Sequence, residues 1–446
     1  PLPQRALHGH TMRQMKDSGI EWIGEIPEGW EIATLRHCIA SIESGTSVNA
    51  GYYPAEENEY GVLKTSCVYN DNFNYNENKS VNYDEYERVK CPVKKHCLII
   101  SRMNTPDLVG SCGYTESSYQ NIFLPDRLWQ VSFLKKFYYK FIYYFFASHA
   151  TKIYISSHAT GTSGSMKNIS QKQLVNTPFV FPPFSEQERI ADYLDAKCAH
   201  IDQCLELTRQ SMEKLRAYKL SCITEAVTKG LDPDVPLKDS GVPWIGQIPA
   251  EWKISKLKTY ASMLTPMRDK PEYLDGEIPW IRIEDFSGKY IKESKEGLGV
   301  SKETVKQMNL KVYPVGTILC TSSCELGKCA ITSVELVSNQ RFIGIIPSKE
   351  CHTDFLYYNL LVNAERLQFL STGTIQANLS RISFEHLQLQ FPPLPEQERI
   401  AAYLDKKCAR IDALLEEKQA LLDKLAEYKK SLIFECVTGK REVPPC

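Results

Sequence analysis

The chain has 446 residues, 43% hydrophobic and 24% charged, with a formal net charge of −1. That length exceeds what one hydrophobic core usually serves, and the composition is that of an ordinary soluble globular protein, so more than one domain is expected. The near-zero charge argues against a chain that holds DNA unaided: either its basic residues are segregated on one face or a partner supplies much of the backbone grip.

Residues 1–15 lack periodicity and read as a disordered tail or an expression remnant, with Met12 offering a natural start. A first globular region, residues 16–183, opens on Asp17-Ser18-Gly19-Ile20-Glu21-Trp22-Ile23-Gly24-Glu25-Ile26-Pro27 and ends on Phe181-Pro182-Pro183. Its pattern is mixed α/β. Cys97-Leu98-Ile99-Ile100 reads as a strand bounded by turn residues. Residues 137–146 read as a buried helix, too short and too interrupted by Lys140 to span a bilayer. Tyr138, Tyr139, Tyr143 and Tyr144 within it are assigned to the core rather than to base stacking.

Loops on a rigid scaffold are the better places for recognition. Arg102 and Asn104 follow the strand-like run, Arg127 stands beside Trp129, and the loop 160–168 carries Thr162, Ser163, Ser165, Lys167 and Asn168. Asn and Gln match adenine edges, Arg and Lys match guanine, and Ser and Thr serve phosphates. An ordinary helix cap accounts for Asn168 equally well.

Past the Pro pair, residues 184–232 predict a long helix. Ser185 and Glu188 have capping-box spacing, and acidic residues suit the positive end of the dipole. An apolar position recurs every 3.5 residues: Leu194, Cys198, Ile201, Leu205, Thr208, Met212, Leu215, Lys219, Cys222, Ala226. Such a stripe must be covered, either by its own globular domain or, the favoured reading, by a partner helix.

At residue 239 the sequence starts again. Asp239-Ser240-Gly241-Val242-Pro243-Trp244-Ile245-Gly246-Gln247-Ile248-Pro249 repeats the opening motif, and residues 391–412 match 181–202 at 17 of 22 positions, including Glu396-Gln397-Glu398-Arg399-Ile400-Ala401. The second globular region, 233–393, is therefore read as a second copy, and residues 394–440 as a second long helix with Lys429 standing where Lys219 stood. Residues 441–446 are a tail. The middles have drifted, the first being longer by 12 residues. Thr317-Ile318-Leu319-Cys320 reads as a strand and residues 355–370 as a buried helix. The corresponding polar candidates are Arg282, Ser322, Ser323, Asn339, Gln340, Arg341, Thr374, Gln376, Asn378 and Arg381. Matched ends with divergent middles suggest one frame carrying two recognition surfaces. The stripes of the two helices would pack on each other, antiparallel if the copies are related by a pseudo-two-fold.

No phosphate-binding glycine loop, dinucleotide fingerprint, His-Glu-x-x-His or Gly-x-Ser-x-Gly pattern is present. Phe181-Pro182-Pro183-Phe184 offers no polar group to hold a target amine. Asp285 followed by Glu293-Ser294-Lys295 has nuclease-like spacing but no equivalent in the first copy. Cys320, Cys324 and Cys329 lack zinc spacing, and fifteen irregularly spaced cysteines suit a reducing cytoplasm better than a disulfide framework. No catalytic residue and no metal ligand is nominated. A free-standing or fused DNA-modifying enzyme and a structural coiled-coil scaffold are the competing readings.

The paired Trp-Ile-Gly-x-Ile-Pro openings, the paired Phe-Pro-Pro…Glu-Gln-Glu-Arg-Ile-Ala helix starts, the Tyr-Leu-Asp…Ile-Asp continuations and Asp126-Arg127-Leu128-Trp129 resemble the specificity subunit of type I restriction-modification systems. The resemblance covers about residues 16–440. It implies two α/β target recognition domains joined by an antiparallel coiled coil, each reading half of a split, asymmetric site in double-stranded DNA. It further implies two copies of a methylation subunit, which bind S-adenosylmethionine and methylate adenine. Restriction subunits using ATP and Mg are implied as further partners, so the chain itself needs no cofactor, no membrane and no active site. On this reading the helix starts, Glu186, Gln187, Arg189, Glu396, Gln397 and Arg399, face the partners. Asp126-Arg127-Leu128-Trp129 has no clear twin in the second copy, where Asn339-Gln340-Arg341-Phe342 stands, so equal roles for those segments are in doubt.

Overall fold

The computed structural model describes residues 13–163, 165–266, 270–323, 326–369 and 379–444. The chain divides into two compact units, residues 1–208 with 420–446, and residues 209–419. Both boundaries fall inside long helices, Phe184–Lys229 and Leu394–Val437. At about 1.5 Å per residue these run ~69 and ~66 Å. Each unit thus holds one globular head, the start of the helix that follows it, and the end of the other helix.

The repeated opening motif builds the same small hairpin twice. Met15–Asp17 pairs with Glu25–Pro27, and Leu237–Asp239 with Gln247–Pro249. The intervening turns are closed alike: Asp17 and Asp239 accept from the amides of Gly19 and Gly241, and Ser18 and Ser240 from those of Ile20 and Val242. Gly24 and Gly246 sit at φ +72° and +71°, a left-handed conformation that a side chain would strain. Ile26, Trp30, Ile248 and Trp252 are then buried beneath. The strand before each Pro pair returns to this base, Pro178–Phe181 against Glu31–Thr34 and Gln388–Phe391 against Lys253–Lys256.

Above that base lies an antiparallel sheet. In the first head its order is Cys112–Tyr114, Leu98–Ser101, Leu128–Phe133, Ile39–Ser44. The second repeats it as Cys329–Thr332, Ile318–Thr321, Phe342–Pro347, Ala261–Leu264, and adds Tyr290–Ile291 parallel to Cys329–Thr332. Cys320 and Cys329 face each other on neighbouring strands and are joined as a disulfide, while the other described cysteines are free. Buried helices Tyr139–Ala147 and Thr353–Val362 cover these sheets; of the tyrosine cluster Tyr144 is buried, at 6% exposure, and Tyr138, Tyr139 and Tyr143 are half-buried.

The first long helix starts at Phe184, one residue ahead of the expected Ser185 cap, with Pro183 accepting from the amides of Glu186 and Gln187. Pro395 lies in the first turn of the second helix, where a missing N–H costs nothing. The apolar stripe uses both coverings that its pattern allows. In the first unit Ile190, Ala191, Leu194, Cys198, Ile201 and Leu205 share one cluster with the head and with Leu432, Ile433, Cys436 and Val437. In the second, Ile400, Ala401, Leu404 and Cys408 share one with Ile223, Ala226 and Val227. In each unit an ion pair also links the helices, Lys429–Asp202 in the first and Lys219–Asp412 in the second, both 2.6 Å. The start of one helix meets the end of the other in both cases, so the pairing is antiparallel, and the repeated lysines close it.

Of the two terminal segments, residues 13–15 and 441–444 are described. Arg13 pairs with Glu186 and the carbonyl of Gln14 accepts from Glu28, while Arg441 pairs with Glu435 and Val443 is buried.

Candidate nucleic-acid interface

Three of the nominated segments of the first head meet at one place. The strand Leu98–Ser101 ends in Arg102, whose amide donates to the carbonyl of Arg127 at 3.1 Å and whose carbonyl accepts from Ile169 at 2.9 Å. Lys167 and Asn168 lie in a short strand opposite Asn104 and Met103. The ends of two sheet strands and the loop 160–168 are therefore stitched into one junction.

The second head makes the same stitch. Ser322, following Ile318–Thr321, donates to the carbonyl of Arg341 at 2.8 Å and accepts from Leu379 at 2.8 Å. Leu128 opposes Ser101 in the first sheet and Phe342 opposes Thr321 in the second. The two Arg-containing segments that look unrelated in sequence thus occupy equivalent backbone positions in the two heads.

The junction sorts the nominated side chains. Arg127, Gln340 and Arg341 are exposed, and the guanidinium groups of Arg127 and Arg341 have no partner among the described residues. Arg102 is half-buried; its Nε donates to the carbonyl of Asp126 at 2.7 Å, and its guanidinium lies 5.9 Å from the ring centre of Trp129. Ser165 is exposed, and Lys167 donates from Nζ to the carbonyl of Ser156 at 3.2 Å. Thr162 and Ser163 belong to the strand Thr160–Ser163, paired with Met166–Asn168. Asn168 is a strand residue there, and the capping-box role in the following helix belongs to Ser170 with Gln173.

Other nominations are corrected by the structure. Asn104 is 7% exposed and spent inside the head, donating to Ser101 Oγ and the Tyr69 hydroxyl and accepting from the Thr105 amide. Ser322 and Ser323 are each 8% exposed, and Ser322 lends the junction its backbone amide and carbonyl. The Arg282 guanidinium is taken by Glu296 at 2.7 Å and Arg381 by Glu385 at 2.6 Å. Asn339 accepts from the amide of Arg341, shaping that turn. Thr374, Gln376 and Asn378 lie outside the described residues.

Among the helix-start residues, Gln187 and Gln397 are each 1% exposed and cannot meet a partner. Gln187 accepts from the Tyr138 amide and donates to the Pro182 carbonyl; Gln397 does the same with His352 and Pro392. Both clamp helix to head. Glu186 is engaged by Arg13 and Arg189, and Glu396 by the indole N–H of Trp252. Arg399 is exposed and Arg189 half-buried.

Asp195 and Asp405, in sequence no more than the ends of the two Tyr-Leu-Asp runs, tie helix to head in the structure. Tyr144 donates to Asp195 at 2.6 Å and Tyr358 to Asp405 at 2.7 Å, and Lys140 and Lys289 supply a positive charge to each. Burial, then the neighbouring carboxylate, pushes both phenols far above their ordinary range, so they stay donors. Burial opposes the charge on Lys289, yet the carboxylates of Asp354 and Asp405 hold its pKa above the usual value. The available signal was the Tyr-Tyr pair, 143–144 and 357–358, that each buried helix sets against a Tyr-Leu-Asp.

The nuclease-like pattern dissolves. Asp285 is 3% exposed and its carboxylate accepts from the amides of Arg282 and Lys295 and from Ser294 Oγ. It closes a turn. Among the described residues no cluster of His, Cys, Asp or Glu could hold a metal, and no helix is long and apolar enough to cross a membrane.

Comparison with known proteins gives the same pattern of two copies. The family model for the type I restriction modification DNA specificity domain matches residues 27–217 and again 249–424. The type I restriction enzyme MjaIX specificity subunit of Methanocaldococcus jannaschii is 32% identical over 166 residues, 36% of this chain and 38% of that relative's length. The putative MjaX specificity subunit of the same organism is 23% identical over 86% of this chain and 87% of its own. A chain from a solved type I R-M system superposes with a TM-score of 0.70 at 12% identity, covering 93% of this chain and 99% of the other. With its domain matched twice over most of its length, the chain belongs to the type I restriction modification DNA specificity family.

Proposed function

We propose that this chain is the DNA-reading subunit of a type I restriction-modification complex and has no catalytic centre of its own. Each head would read a few base pairs in a major groove, and the paired helices would set the gap between the two half-sites. The observation that carries this reading is the junction built twice on one backbone plan with unlike side chains, Arg102 in one head and Ser322 in the other. Two such surfaces suit two different half-sites.

Methylation subunits, one for each half of the frame, would bring S-adenosylmethionine, flip the target adenine from the stack and supply the phosphate grip that a chain of net charge −1 lacks. Restriction subunits, where present, would add ATP-driven cleavage. Arg189 and Arg399 remain partner-facing candidates, and the complex would work in the cytoplasm. The test is to expose a randomised duplex library to this chain with its methylation subunit and map the methylated adenines. A two-part, asymmetric motif with an unspecified gap is expected. Methylation without sequence preference would refute the reading, and methylation by the purified chain alone would refute its non-catalytic part.

A further inference from the structure

The duplication offers an internal comparison that sorts the exposed cations by role. Groups kept at the same place in both heads should serve what both half-sites share, the phosphate backbone; groups that differ should serve what differs, the bases. Arg127 and Arg341 occupy the same place. Each is exposed, each lends its carbonyl to the same junction hydrogen bond, and neither guanidinium has a partner among the described residues.

Arg102 is the opposite case. Its backbone twin is Ser322, which is buried. Trp129, the ring beneath Arg102, opposes Ile100, and the residue opposing Cys320 at the matching position of the second sheet is Ile343. Arginine and its aromatic platform are therefore present together in one head and absent together from the other. In the first head the side chain is held at two points, by Nε on the Asp126 carbonyl and by the 3%-exposed Trp129. Among the described residues its two terminal nitrogens have no partner. A planar fork held at its base with its outer donors unspent is the arrangement that matches O6 and N7 of guanine.

Resting on the reading that the heads bind DNA, we propose that Arg102 reads a guanine in the half-site of the first head, while Arg127 and Arg341 are a matched pair of phosphate contacts. The second head, lacking the fork, does not read a base from this position.

The experiment uses the full chain assembled with its methylation subunit on the randomised duplex library. The unaltered complex should require a guanine in one half-site. R102S, which installs the second head's residue, should relax that single position by roughly ten- to a hundredfold in discrimination and leave the other half-site intact. R102K keeps the charge and the stem but loses the fork, so it should relax the same position. R127A and R341A should weaken binding to all sequences alike, each lowering the salt slope of binding by about one.

Guanine preference kept in R102S, with binding weakened alike on all sequences, would assign Arg102 to phosphate and overturn the proposal. So would a base-selective effect of R127A or R341A. Should R102S fail to assemble, R102A is read by the same two outcomes. A complex that methylates without sequence preference before any substitution defeats the DNA-reading function itself, a result distinct from every outcome above.

Discussion

The two heads differ most in length around the three segments that meet at the junction within each of them. The numbering offset between equivalent residues is 222 at Asp17 and Asp239, and still 220 at Ser101 and Thr321. It falls to 214 at Leu128 and Phe342, and to 210 at Ile169 and Leu379, where it stays through Asp195 and Asp405. Most of the extra length of the first head thus enters between the three segments that form the junction, in the chain running into it and out of it. Hairpin, sheet core and helix clamps tolerate almost none. Loop insertions cost little when the strands they join are fixed, so a duplicated reader can diverge there without disturbing its frame.

The comparison breaks most completely if the reading surface can be moved between proteins. Exchanging residues 101–169 for the equivalent segment of a related protein should replace one half-site of the methylated motif and leave the other half-site and the gap unchanged. Mapping methylated adenines on a random library checks this. A change in both half-sites would mean that the heads are not independent readers.

Much of the frame was legible because its residues repeat for structural reasons that act locally. Asp17-Ser18-Gly19 closes a turn, Gly24 needs a left-handed backbone, and the heptad positions from Leu194 to Ile201 fix which helix face is buried. The site was legible only as separate clusters. Nothing in the one-dimensional pattern says that Arg102, Arg127 and Ile169 are hydrogen-bonded neighbours, because that depends on strand order. Nor does it distinguish Arg341, left exposed, from Arg282, neutralised by a Glu296 fourteen residues away. Gln187 and Gln397 misled for the same reason: a repeated polar residue at a helix start suits a partner surface and an internal clamp equally well.

A smaller effect separates the two helix ties. D195N leaves Lys140 without its carboxylate in the first unit, whereas D405N leaves Lys289 still paired with Asp354 at 2.6 Å. Breaking a partly buried, charge-assisted contact costs roughly 1–3 kcal/mol. D195N should lower the thermal midpoint of the chain more than D405N. Equal losses would show that Asp354 contributes nothing to holding Lys289.

Smaller still are the interhelical ion pairs. Asp202 and Asp412 are 54% and 48% exposed, so each pair is worth under about 1 kcal/mol. K219E should destabilise by about that amount and be rescued by D412K, and K429E should be rescued by D202K in the same measure. A thermal-melt double-mutant cycle with no coupling in either unit would deny the lysines any part in setting register.

The finest contrast lies in how the heads respond to acid. Burial raises the pKa of Asp71 in the first head, outweighing the nearby Lys152. In the second, burial works against Asp354 too, but Lys289 and the Tyr290 hydroxyl hold it below its ordinary value, with His352 adding to the effect. The raised Asp71 binds its proton more tightly when folded, so its contribution to stability is greatest below the ordinary carboxylate value of 3.8 and is lost as pH climbs through the folded pKa. The lowered Asp354 contributes above 3.8 and loses that contribution as pH falls through the folded pKa. Melts of D71N and D354N between about pH 6 and pH 3 should therefore diverge from the parent with opposite slopes. Acid should widen the parent's advantage over D71N and narrow its advantage over D354N. Slopes of the same sign would mean that Lys152 neutralises Asp71 as fully as Lys289 neutralises Asp354, and that the two heads bury their carboxylates on equal terms.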